Sequence, residues 1–417
     1  MNDLVIVFPG QGSQFTGMGK HWYDEHAAVR DRFARASDLL GYSLPDLCFT
    51  APPAELTRTR HAQVSLLVLS YALYEVLTEG REVPVTAMTG HSLGEITALL
   101  AAGALSFEDA VRLVSARGEA METCAARRAT GMVAAVRVPV ADVERHVAEF
   151  NAEGHDVQVA NYNSPTQTVL SGTTEDLAEL TTYLEDRGAK VAKLNVAGAF
   201  HSTHMAGALP VFTEALDAVE ITEPRIPVYS NVTGRPHEDP AAIRRALAVQ
   251  LTSPVRWSEI TDALVANRTR LWIEVGPKQV LKKMLVPVVG SGEVLNLDED
   301  PEAVYAAVAR VVEAKRREPS LVGLCMGAAA ATRNRNFDND EYREGVIAPY
   351  RRLQELDQAT QDGAELSDDD RREAVELLTT IMATKRVPED EQRDRLDTIL
   401  RRTGDAGLLA TAQAHRA

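Results

Sequence analysis

The chain has 417 residues, of which 45% are hydrophobic and 25% are charged, enough for two or three domains with a sizeable core. Its formal net charge of −16 at pH 7 argues against nucleic acid as a partner, because phosphate binding needs a concentrated basic surface. No apolar run approaches the roughly 20 residues of a membrane-spanning helix, so we expect no membrane association.

The cysteines and the first residues predict the cellular compartment. Cys48, Cys124 and Cys325 lie far apart and form no paired motif, which argues against both a disulfide framework and a zinc site. The apolar run over 4–8 follows Asp3 rather than a basic segment and is too short for a signal peptide. We therefore expect a cytoplasmic protein with free thiols and no metal site.

A glycine-rich loop follows the first predicted strand. The continuous apolar run Leu4–Phe8 is typical of a strand buried on both faces of a parallel sheet, and Pro9-Gly10-Gln11-Gly12-Ser13-Gln14 comes after it. The loop could be a tight turn, a phosphate loop, or a source of backbone N–H groups for an oxyanion. The lysine-plus-hydroxyl ending of a phosphate loop is missing, so we favour the oxyanion loop.

The segment Gly90-His91-Ser92-Leu93-Gly94 contains the predicted nucleophile. A strand is predicted over 83–88 and a helix over 96–104, so Ser92 falls at a strand-to-helix turn. The two glycines leave room for a sharp turn that exposes the Ser92 hydroxyl at the helix N-terminus, where backbone amides favour developing negative charge. The same pattern also arises by chance in ordinary loops, and only the strand-turn-helix setting favours a nucleophile.

Three further stretches have helical apolar spacing, namely 20–40, 63–79 and 107–121. Arg117 lies on the third of them. An arginine on an amphipathic helix is usually exposed to solvent. The alternative is a guanidinium that binds a substrate carboxylate through two parallel hydrogen bonds, and the residues alone leave both interpretations open.

From Gly131 to Val196 the pattern changes to short segments. Strands are predicted over 132–138, 157–160, 168–172 and 190–196, with helices over 140–150 and 175–186. This β-α-β-β-α-β order is that of the ferredoxin-like unit, which indicates a small domain inserted into a larger one. We expect the ligand to bind in the cleft between the two domains.

A histidine follows the predicted insertion. His201 stands where the chain re-enters the large domain, and its titration near neutral pH suits a general base for Ser92, although a lone histidine is more often structural. His91 is the competing candidate, but a neighbour of Ser92 in a sharp turn is expected to point away from the hydroxyl. Spacing nominates no acidic residue, so we predict a Ser-His dyad whose histidine is oriented by another group, such as a main-chain carbonyl.

The remaining patterns complete the large domain and begin a helical tail. Strands are predicted over 225–231 and 270–275, and helices over 241–251, 278–285, 342–356, 372–385 and 391–402. The apolar stripes of the last three helices either pack on one another and on the core or dock a partner protein. In the second interpretation, the flanking cations would attract an acidic partner; they are Arg333, Arg335, Arg351 and Arg352.

These elements predict an α/β fold with a C-terminal α-helical extension. A large α/β-hydrolase-like domain with a parallel sheet would span 1–128 and 198–298. A small ferredoxin-like domain would be inserted at 129–197, and the helical extension would span 299–417.

The assembled motifs resemble the malonyl-CoA:acyl carrier protein transacylase family over roughly residues 1–290. The matching elements are Phe8-Pro9-Gly10-Gln11-Gly12-Ser13-Gln14, Gly90-His91-Ser92-Leu93-Gly94-Glu95, Arg117-Gly118, Asn161-Tyr162-Asn163-Ser164-Pro165, Phe200-His201-Ser202, and Gln250 followed by Ser253-Pro254-Val255. Their combination and order are highly specific. The tail lies outside the common pattern, and a separate chain with this core is similar to the free-standing acyltransferases that load modular polyketide synthases.

The resemblance implies roles for the central residues. Ser92 would form the acyl-enzyme, His201 would be its base, and Gln250 would orient His201 through its carbonyl oxygen. Arg117 would bind the acyl carboxylate, and the bulk of Phe200 would crowd a substituent on the α-carbon of the acyl group.

The same resemblance implies the surroundings of the reacting group. The backbone N–H groups of Gln11 and Leu93 would form the oxyanion hole. Gln63 and Asn163 would line the cleft. His91 is placed among the substrate-binding residues by its position in the turn and not by the resemblance, and we expect it to support the dyad rather than to act as the base.

The activity implied by the resemblance is transfer of a malonyl group from coenzyme A to the phosphopantetheine thiol of an acyl carrier protein, in polyketide or fatty acid biosynthesis. The mechanism would be ping-pong through acyl-Ser92, with no metal or redox cofactor. An editing hydrolase that clears acyl groups from carriers and a non-catalytic scaffold for synthase components are the alternatives. Arg117 disfavours the hydrolase, which has no evident use for a fixed carboxylate clamp, and the intact dyad disfavours the scaffold.

Overall fold

The computed structural model describes residues 4–317, 320–361, 364, 366–403 and 405. The chain divides into two compact units, Met1–Val312 and Glu313–Ala417, and each is described by itself. No helix in the described ranges is both long enough and apolar enough to cross a membrane.

The first unit contains a parallel and an antiparallel sheet. Its strands are Leu4–Phe8 (β1), Val85–Gly90 (β2), Thr130–Val136 (β3), Gln158–Ser164 (β4), Gln167–Thr173 (β5), Lys190–Lys193 (β6), Leu271–Glu274 (β7) and Glu293–Asn296 (β8). The parallel sheet has the order β2-β1-β7-β8, and the second sheet has the order β4-β5-β3-β6. A mixed α/β fold with a parallel sheet is therefore confirmed.

Helices surround both sheets. They are Lys20–Glu25 (α1), Ala27–Leu40 (α2), Leu44–Phe49 (α3), Pro53–Thr57 (α4), Thr59–Thr78 (α5), Leu93–Ala101 (α6), Phe107–Ala125 (α7), Val140–Ala152 (α8), Thr174–Glu185 (α9), Leu209–Asp217 (α10), Pro240–Gln250 (α11), Trp257–Ala266 (α12), Val280–Leu285 (α13) and Pro301–Arg317 (α14), with a 3-10 turn at Thr203–Ala208. The predicted helix over 20–40 is divided at His26, whose backbone is extended.

The parallel sheet is buried on both faces, as the apolar run of β1 predicts. Alternate side chains of this strand join two separate clusters of buried residues, with Leu4, Ile6 and Phe8 in one and Val5 and Val7 in the other. Because β1 and β2 are parallel neighbours, their carboxyl ends meet at one edge of the sheet. The glycine-rich loop and the turn at Ser92 therefore lie side by side.

The antiparallel sheet has the predicted β-α-β-β-α-β element order, with α8 and α9 as its helices. All of its named strand pairs are antiparallel. One cluster of apolar side chains, including Val143, Phe150 and Leu180, packs between this sheet and its helices. This packing covers one face of the sheet and leaves the other face to contact the rest of the first unit.

The prediction of a strand over 225–231 was wrong. The segment makes only isolated bridges, Met88 with Val228 and Tyr229 with Pro236. Pro227 interrupts it and has no N–H group to donate to a neighbouring strand. The segment nevertheless runs along β2 and ends beside the turn at Ser92.

The second unit is helical and has its own core. Its helices are Leu321–Ala331 (α15), Asn339–Tyr342 (α16), Ala348–Gln361 (α17), Asp368–Thr384 (α18) and Glu389–Thr403 (α19), with a π-helical turn at Arg343–Ile347. The apolar stripes pack on one another, with Leu353, Leu378 and Leu400 fully buried. Of the four cations proposed for docking, Arg352 pairs with Glu373 inside this unit. The interpretation in which the stripes pack together is thus the one that the contacts support.

The predicted start of the helical extension at 299 was also wrong. Val304, Ala307 and Val308 of α14 belong to the same core cluster as β1, and the boundary between the units falls after Val312. The charged composition of this helix placed it with the tail, but its apolar face is buried in the first unit.

Truncation tests this assignment. A chain that ends at Asp300 loses the buried side chains of Val304 and Val308, whereas a chain that ends at Arg317 keeps them. Burial of a valine contributes roughly 2 kcal/mol, so the shorter chain should be less stable by about 4 kcal/mol. Thermal unfolding followed by circular dichroism measures the difference, and equal midpoints would show that α14 is dispensable for the first unit.

Candidate active site

The turn at Ser92 is sharp and closely packed. Ser92 precedes α6 with φ 54° and ψ −107°, a backbone conformation that a non-glycine residue rarely adopts. A Cβ atom on Gly94 would lie 2.0 Å from the carbonyl oxygen of Phe8, and one on Gly90 would lie 2.1 Å from the carbonyl of Gly94. Gly94 is therefore required by contact between the turn and β1, and Gly90 is required by the close approach of Gly94 within the turn.

Asn231 holds this turn from the segment that was wrongly predicted as a strand. Its Oδ1 accepts the backbone N–H of Ser92 at 2.6 Å, and its Nδ2 donates to the carbonyl oxygen of Gly90 at 2.8 Å. The side chain thus replaces the backbone hydrogen bonds that the strained turn cannot make for itself. Sequence reasoning missed Asn231, because no pattern along the chain indicates that it faces Ser92.

Ser92, His201 and Gln250 form a hydrogen-bonded series. The Nδ1 of His201 lies 3.0 Å from the main-chain oxygen of Gln250, and its Nε2 lies 2.8 Å from the Ser92 Oγ. Since a carbonyl oxygen only accepts, Nδ1 carries the proton and donates it. Nε2 is then free to accept the Ser92 O–H, which is the arrangement that a general base requires.

The chain holds His201 by hydrogen bonds to its neighbours. His201 has φ 58° and is 4% exposed. The Oγ of Ser171 donates to the carbonyl oxygen of Phe200 at 2.7 Å, and the Oγ of Ser202 donates to that of Ala199 at 2.6 Å. Both bonds fix the segment between the antiparallel sheet and the 3-10 turn, so the imidazole is held without a carboxylate.

Arg117 is a buried cation beside the nucleophile. It is 1% exposed, and burial lowers its pKa to about 10, an effect that the charge of Glu95 opposes. Nη1 donates to Gln63 Oε1 at 2.6 Å, while Nη2 donates to Gln250 Oε1 at 2.8 Å and to Ser92 Oγ at 3.1 Å. In the part of the chain that the structure describes, the buried Nε–H has no acceptor. The interpretation of Arg117 as a solvent-exposed residue was wrong.

Glu95 lies behind the dyad and organises Gln250. Its Oε2 accepts from Gln250 Nε2 at 2.7 Å and from the backbone N–H of Asn231 at 3.0 Å. Its Oε1 lies 2.9 Å from the Nε2 of His237, and both side chains are almost fully buried. Glu95 was visible in the sequence motif, but its connection to Gln250 and His237 depends on tertiary contacts between distant segments.

Two backbone N–H groups are available for an oxyanion. Gln11 lies in the loop after β1, and Leu93 begins α6 directly after Ser92. Among the hydrogen bonds of the described residues, neither backbone N–H has a protein acceptor. Backbone N–H groups without a protein acceptor beside Ser92 are free to donate to a ligand oxygen, which is what an oxyanion hole requires.

The candidate residues surround one cavity of about 240 Å³ in the first unit. The antiparallel sheet and α13 supply an apolar wall that includes Val169 and Leu281. Gln250 is absent from the lining and lies behind Arg117 and His201. The candidate residues that line the cavity are Gln11, Gln63, His91, Ser92, Leu93, Arg117, Asn163, Phe200 and His201.

His91 faces Asn163 rather than the dyad. Its Nε2 lies 2.9 Å from Asn163 Oδ1, and its ring lies against Trp257. Burial lowers the pKa of His91, so the ring is neutral and donates its Nε2 proton to Asn163. No group of three or more His, Cys, Asp or Glu side chains in the described residues could hold a metal ion.

The comparison with known protein families agrees with this geometry. A model described as the acyl transferase domain matches residues 5–319. The chain belongs to this family. The match covers the whole cavity and reaches through α14.

Two relatives of this acyl transferase are both named malonyl CoA-acyl carrier protein transacylases. A malonyl CoA-acyl carrier protein transacylase from Bacillus subtilis is 31% identical over 400 residues, covering 94% of this chain and 99% of the relative. PksC, a polyketide biosynthesis malonyl CoA-acyl carrier protein transacylase from Bacillus subtilis strain 168, is 36% identical over 284 residues, covering 68% of this chain and 96% of the relative. The first alignment extends into the second unit, so the helical extension is shared with at least one relative.

A solved structure of a transacylase has a similar fold. A malonyl-transacylase in complex with a holo type II polyketide synthase acyl-carrier protein has a TM-score of 0.70 and 32% identity to this acyl transferase. The alignment covers 75% of this chain and 99% of that chain.

The state of His201 has a measurable consequence for stability. Burial lowers its pKa to about 3, and the charge of Arg117 contributes to the shift. The unfolded chain protonates this histidine below about pH 6.5, so the unfolded state binds more protons and the folded state loses stability as the pH falls from 6.5.

Replacement of His201 by glutamine should remove this contribution to the loss of stability at low pH. Between pH 6 and pH 5 the free energy of unfolding of the unaltered chain should fall more steeply than that of His201→Gln, by about 1 kcal/mol per pH unit. Urea unfolding of both proteins at the two pH values measures the difference, in which other titrating groups cancel. Parallel curves would show that His201 becomes protonated in the folded protein.

Proposed function

We propose that this acyl transferase moves a malonyl group from coenzyme A to the phosphopantetheine thiol of an acyl carrier protein, in fatty acid or polyketide biosynthesis. The observation that carries the proposal is the buried Arg117 guanidinium, whose Nη2 contacts the Ser92 Oγ and whose Nε–H has no protein acceptor in the described residues. A carboxylate on the acyl group would accept directly from this guanidinium, to which Glu95 is connected through the side chain of Gln250.

In the first half-reaction, Ser92 Oγ attacks the thioester carbonyl while His201 Nε2 takes the hydroxyl proton. The carbon-sulfur bond then breaks, and the proton passes from His201 to the leaving thiolate of coenzyme A. The product is malonyl-Ser92 and free coenzyme A. The Nδ1–H bond from His201 to the Gln250 oxygen keeps the imidazole in the required tautomer throughout.

In the second half-reaction, the carrier thiol gives its proton to His201 Nε2 and attacks the ester carbonyl. The bond to Ser92 Oγ breaks, and the proton returns from His201 to the serine. In both halves the backbone N–H groups of Gln11 and Leu93 would stabilise the oxyanion. The residues of the chain supply a partner for each proton and charge, so we propose that the transfer needs no metal or redox cofactor.

Phe200 is our candidate for acyl-group selection. It lines the cavity directly before His201 and is 5% exposed. Its carbonyl oxygen is held by Ser171, so the ring cannot withdraw by moving the backbone freely. We propose that this bulk disfavours acyl groups that carry a substituent on the α-carbon.

Two finer assignments accompany this function. We propose that the likeness to α/β-hydrolases is limited to the strand, turn and helix around Ser92. We also propose that the enzyme acts in the cytoplasm, which suits three cysteines that are buried and free.

Labelling tests the nucleophile. Incubation with malonyl-CoA labelled in the malonyl group should leave one label on Ser92, and Ser92→Ala should abolish it because no other side-chain hydroxyl in the described part of the chain is paired with the His201 Nε2. Ser106→Ala is the control, since Ser106 is exposed at the start of α7, where its Oγ accepts the backbone N–H of Asp109 and does not contact the dyad. Label that survives in Ser92→Ala would overturn the mechanism.

Substitution of Arg117 tests the acyl group. Removing one partner of a desolvated charge pair costs about 2 to 5 kcal/mol, so Arg117→Ala should slow malonyl transfer to Ser92 by at least about 30-fold. Transfer from acetyl-CoA should slow much less, because acetyl has no carboxylate to leave unpaired. Arg112→Ala on the exposed face of α7 is the control. Equal losses for both substrates would assign Arg117 to the fold or to Ser92 alone, and not to the carboxylate.

A further inference from the structure

A second loop packs against the loop that contains Gln11. It follows β7 and contains Gly276, Pro277 and Lys278. A Cβ atom on Gly276 would lie 2.5 Å from the ring of Pro9, so the two loops touch where the first one begins. The shape of the loop around Gln11 therefore depends on the position of the loop after β7.

Lys278 makes a second connection between these loops. Its Nζ donates to the carbonyl oxygen of Gln14 at 2.9 Å and to that of Gly12 at 3.2 Å. Gly12 has φ 109°, and its N–H donates to the side chain of Gln14 at 2.7 Å. The ammonium thus bridges two carbonyl groups in the part of the loop that directly follows Gln11.

The backbone of Lys278 has a strained conformation. Its φ is 59°, in the left-handed region where glycine is favoured. A lysine here loses stability that a glycine would keep, and such outliers persist where the surroundings determine them and the side chain has a use. No carboxylate in the described residues pairs with the Lys278 ammonium.

The loop after β7 is itself held rigidly. The buried Asn296 donates its Nδ2 to the carbonyl oxygens of Gly276 and Lys278. Glu274 accepts the backbone N–H groups of Leu281 and Lys282 at the start of α13. Lys278 therefore projects its ammonium from a backbone held by hydrogen bonds, and such a donor can define the position of the carbonyl groups that accept from it.

We propose that Lys278 is a positioning residue for acyl transfer, which holds the carbonyl groups of Gly12 and Gln14 so that the Gln11 N–H faces the oxyanion. This inference rests on the proposed function, because it concerns the oxyanion of that reaction. The residue acts through the loop and does not touch the substrate. Its loss should slow the chemical step for every acyl group, because all of them develop charge on the same carbonyl oxygen.

Single-turnover acylation of Ser92 by labelled malonyl-CoA and acetyl-CoA tests the proposal, with Lys278→Met, Lys278→Arg and Lys278→Gly. Lys278→Met should lower the saturating acylation rate about tenfold for both substrates, with the half-saturating concentration unchanged within about twofold. Lys278→Arg should recover most of the rate, because a guanidinium can donate to the same oxygens. Lys278→Gly should be as slow as Lys278→Met although its backbone strain is relieved.

Arg268 supplies the matched control. It is an exposed cation with the same φ of 59°, and it lies before β7 rather than after it. Arg268→Gly and Arg268→Met change strain and charge in the same way, and both should leave the acylation rate unchanged. Thermal unfolding of all variants separates a general loss of stability from a loss of rate.

The outcomes distinguish the possible failures. A full rate in Lys278→Gly would show that the ammonium has no part in the reaction and would overturn the proposal. A raised half-saturating concentration with an unchanged rate in Lys278→Met would also overturn it, and would assign Lys278 to binding of coenzyme A phosphates. Absence of label on Ser92 in the unaltered enzyme would instead refute the proposed function, and the role of Lys278 with it.

Discussion

A buried positive charge is the feature on which the rest of the site depends. Removing a guanidinium from water is costly unless its N–H groups find acceptors. Gln63, Gln250 and Ser92 supply acceptors to Arg117, and the carboxylate of Glu95 is connected to it through the side chain of Gln250. The charge is therefore partly solvated and not neutralised. A cavity of this kind attracts an anionic acyl group locally, although the chain as a whole carries a net charge of −16.

The same cation gives a reason why His201, the proposed base, is oriented by a main-chain oxygen. A carboxylate beside His201 would raise its pKa and would also compete with the substrate for Arg117. The neutral oxygen of Gln250 fixes the tautomer without adding charge. His201 consequently remains an uncharged acceptor next to a cation. Gln250 serves both residues at once, with its main chain for His201 and its side chain for Arg117.

The sequence predicted the parts of the site that local geometry determines. The two glycines around Ser92 are required by a turn of a few residues, so a short motif reveals them. His201 could be proposed from its place at the end of the inserted domain, whereas Arg117 could be assigned only through the family resemblance, because its helix pattern left two interpretations open. Asn231 and Lys278 escaped prediction, since each acts on a segment more than a hundred residues away through contacts that only the folded chain creates. The boundary after α14 escaped for a related reason: composition reports charge, but it does not report which face of a helix is buried.

The backbone at Ser92 and His201 has a consequence for how such an enzyme can change. Both residues occupy left-handed conformations, where a side chain costs about 1 to 2 kcal/mol relative to glycine. Glycine at either position would relieve this backbone strain, but it would also remove a member of the proposed dyad. Stabilised variants obtained without an activity screen should be inspected first at these two positions. The proposed dyad thus requires two residues whose backbone conformations reduce the stability of the fold.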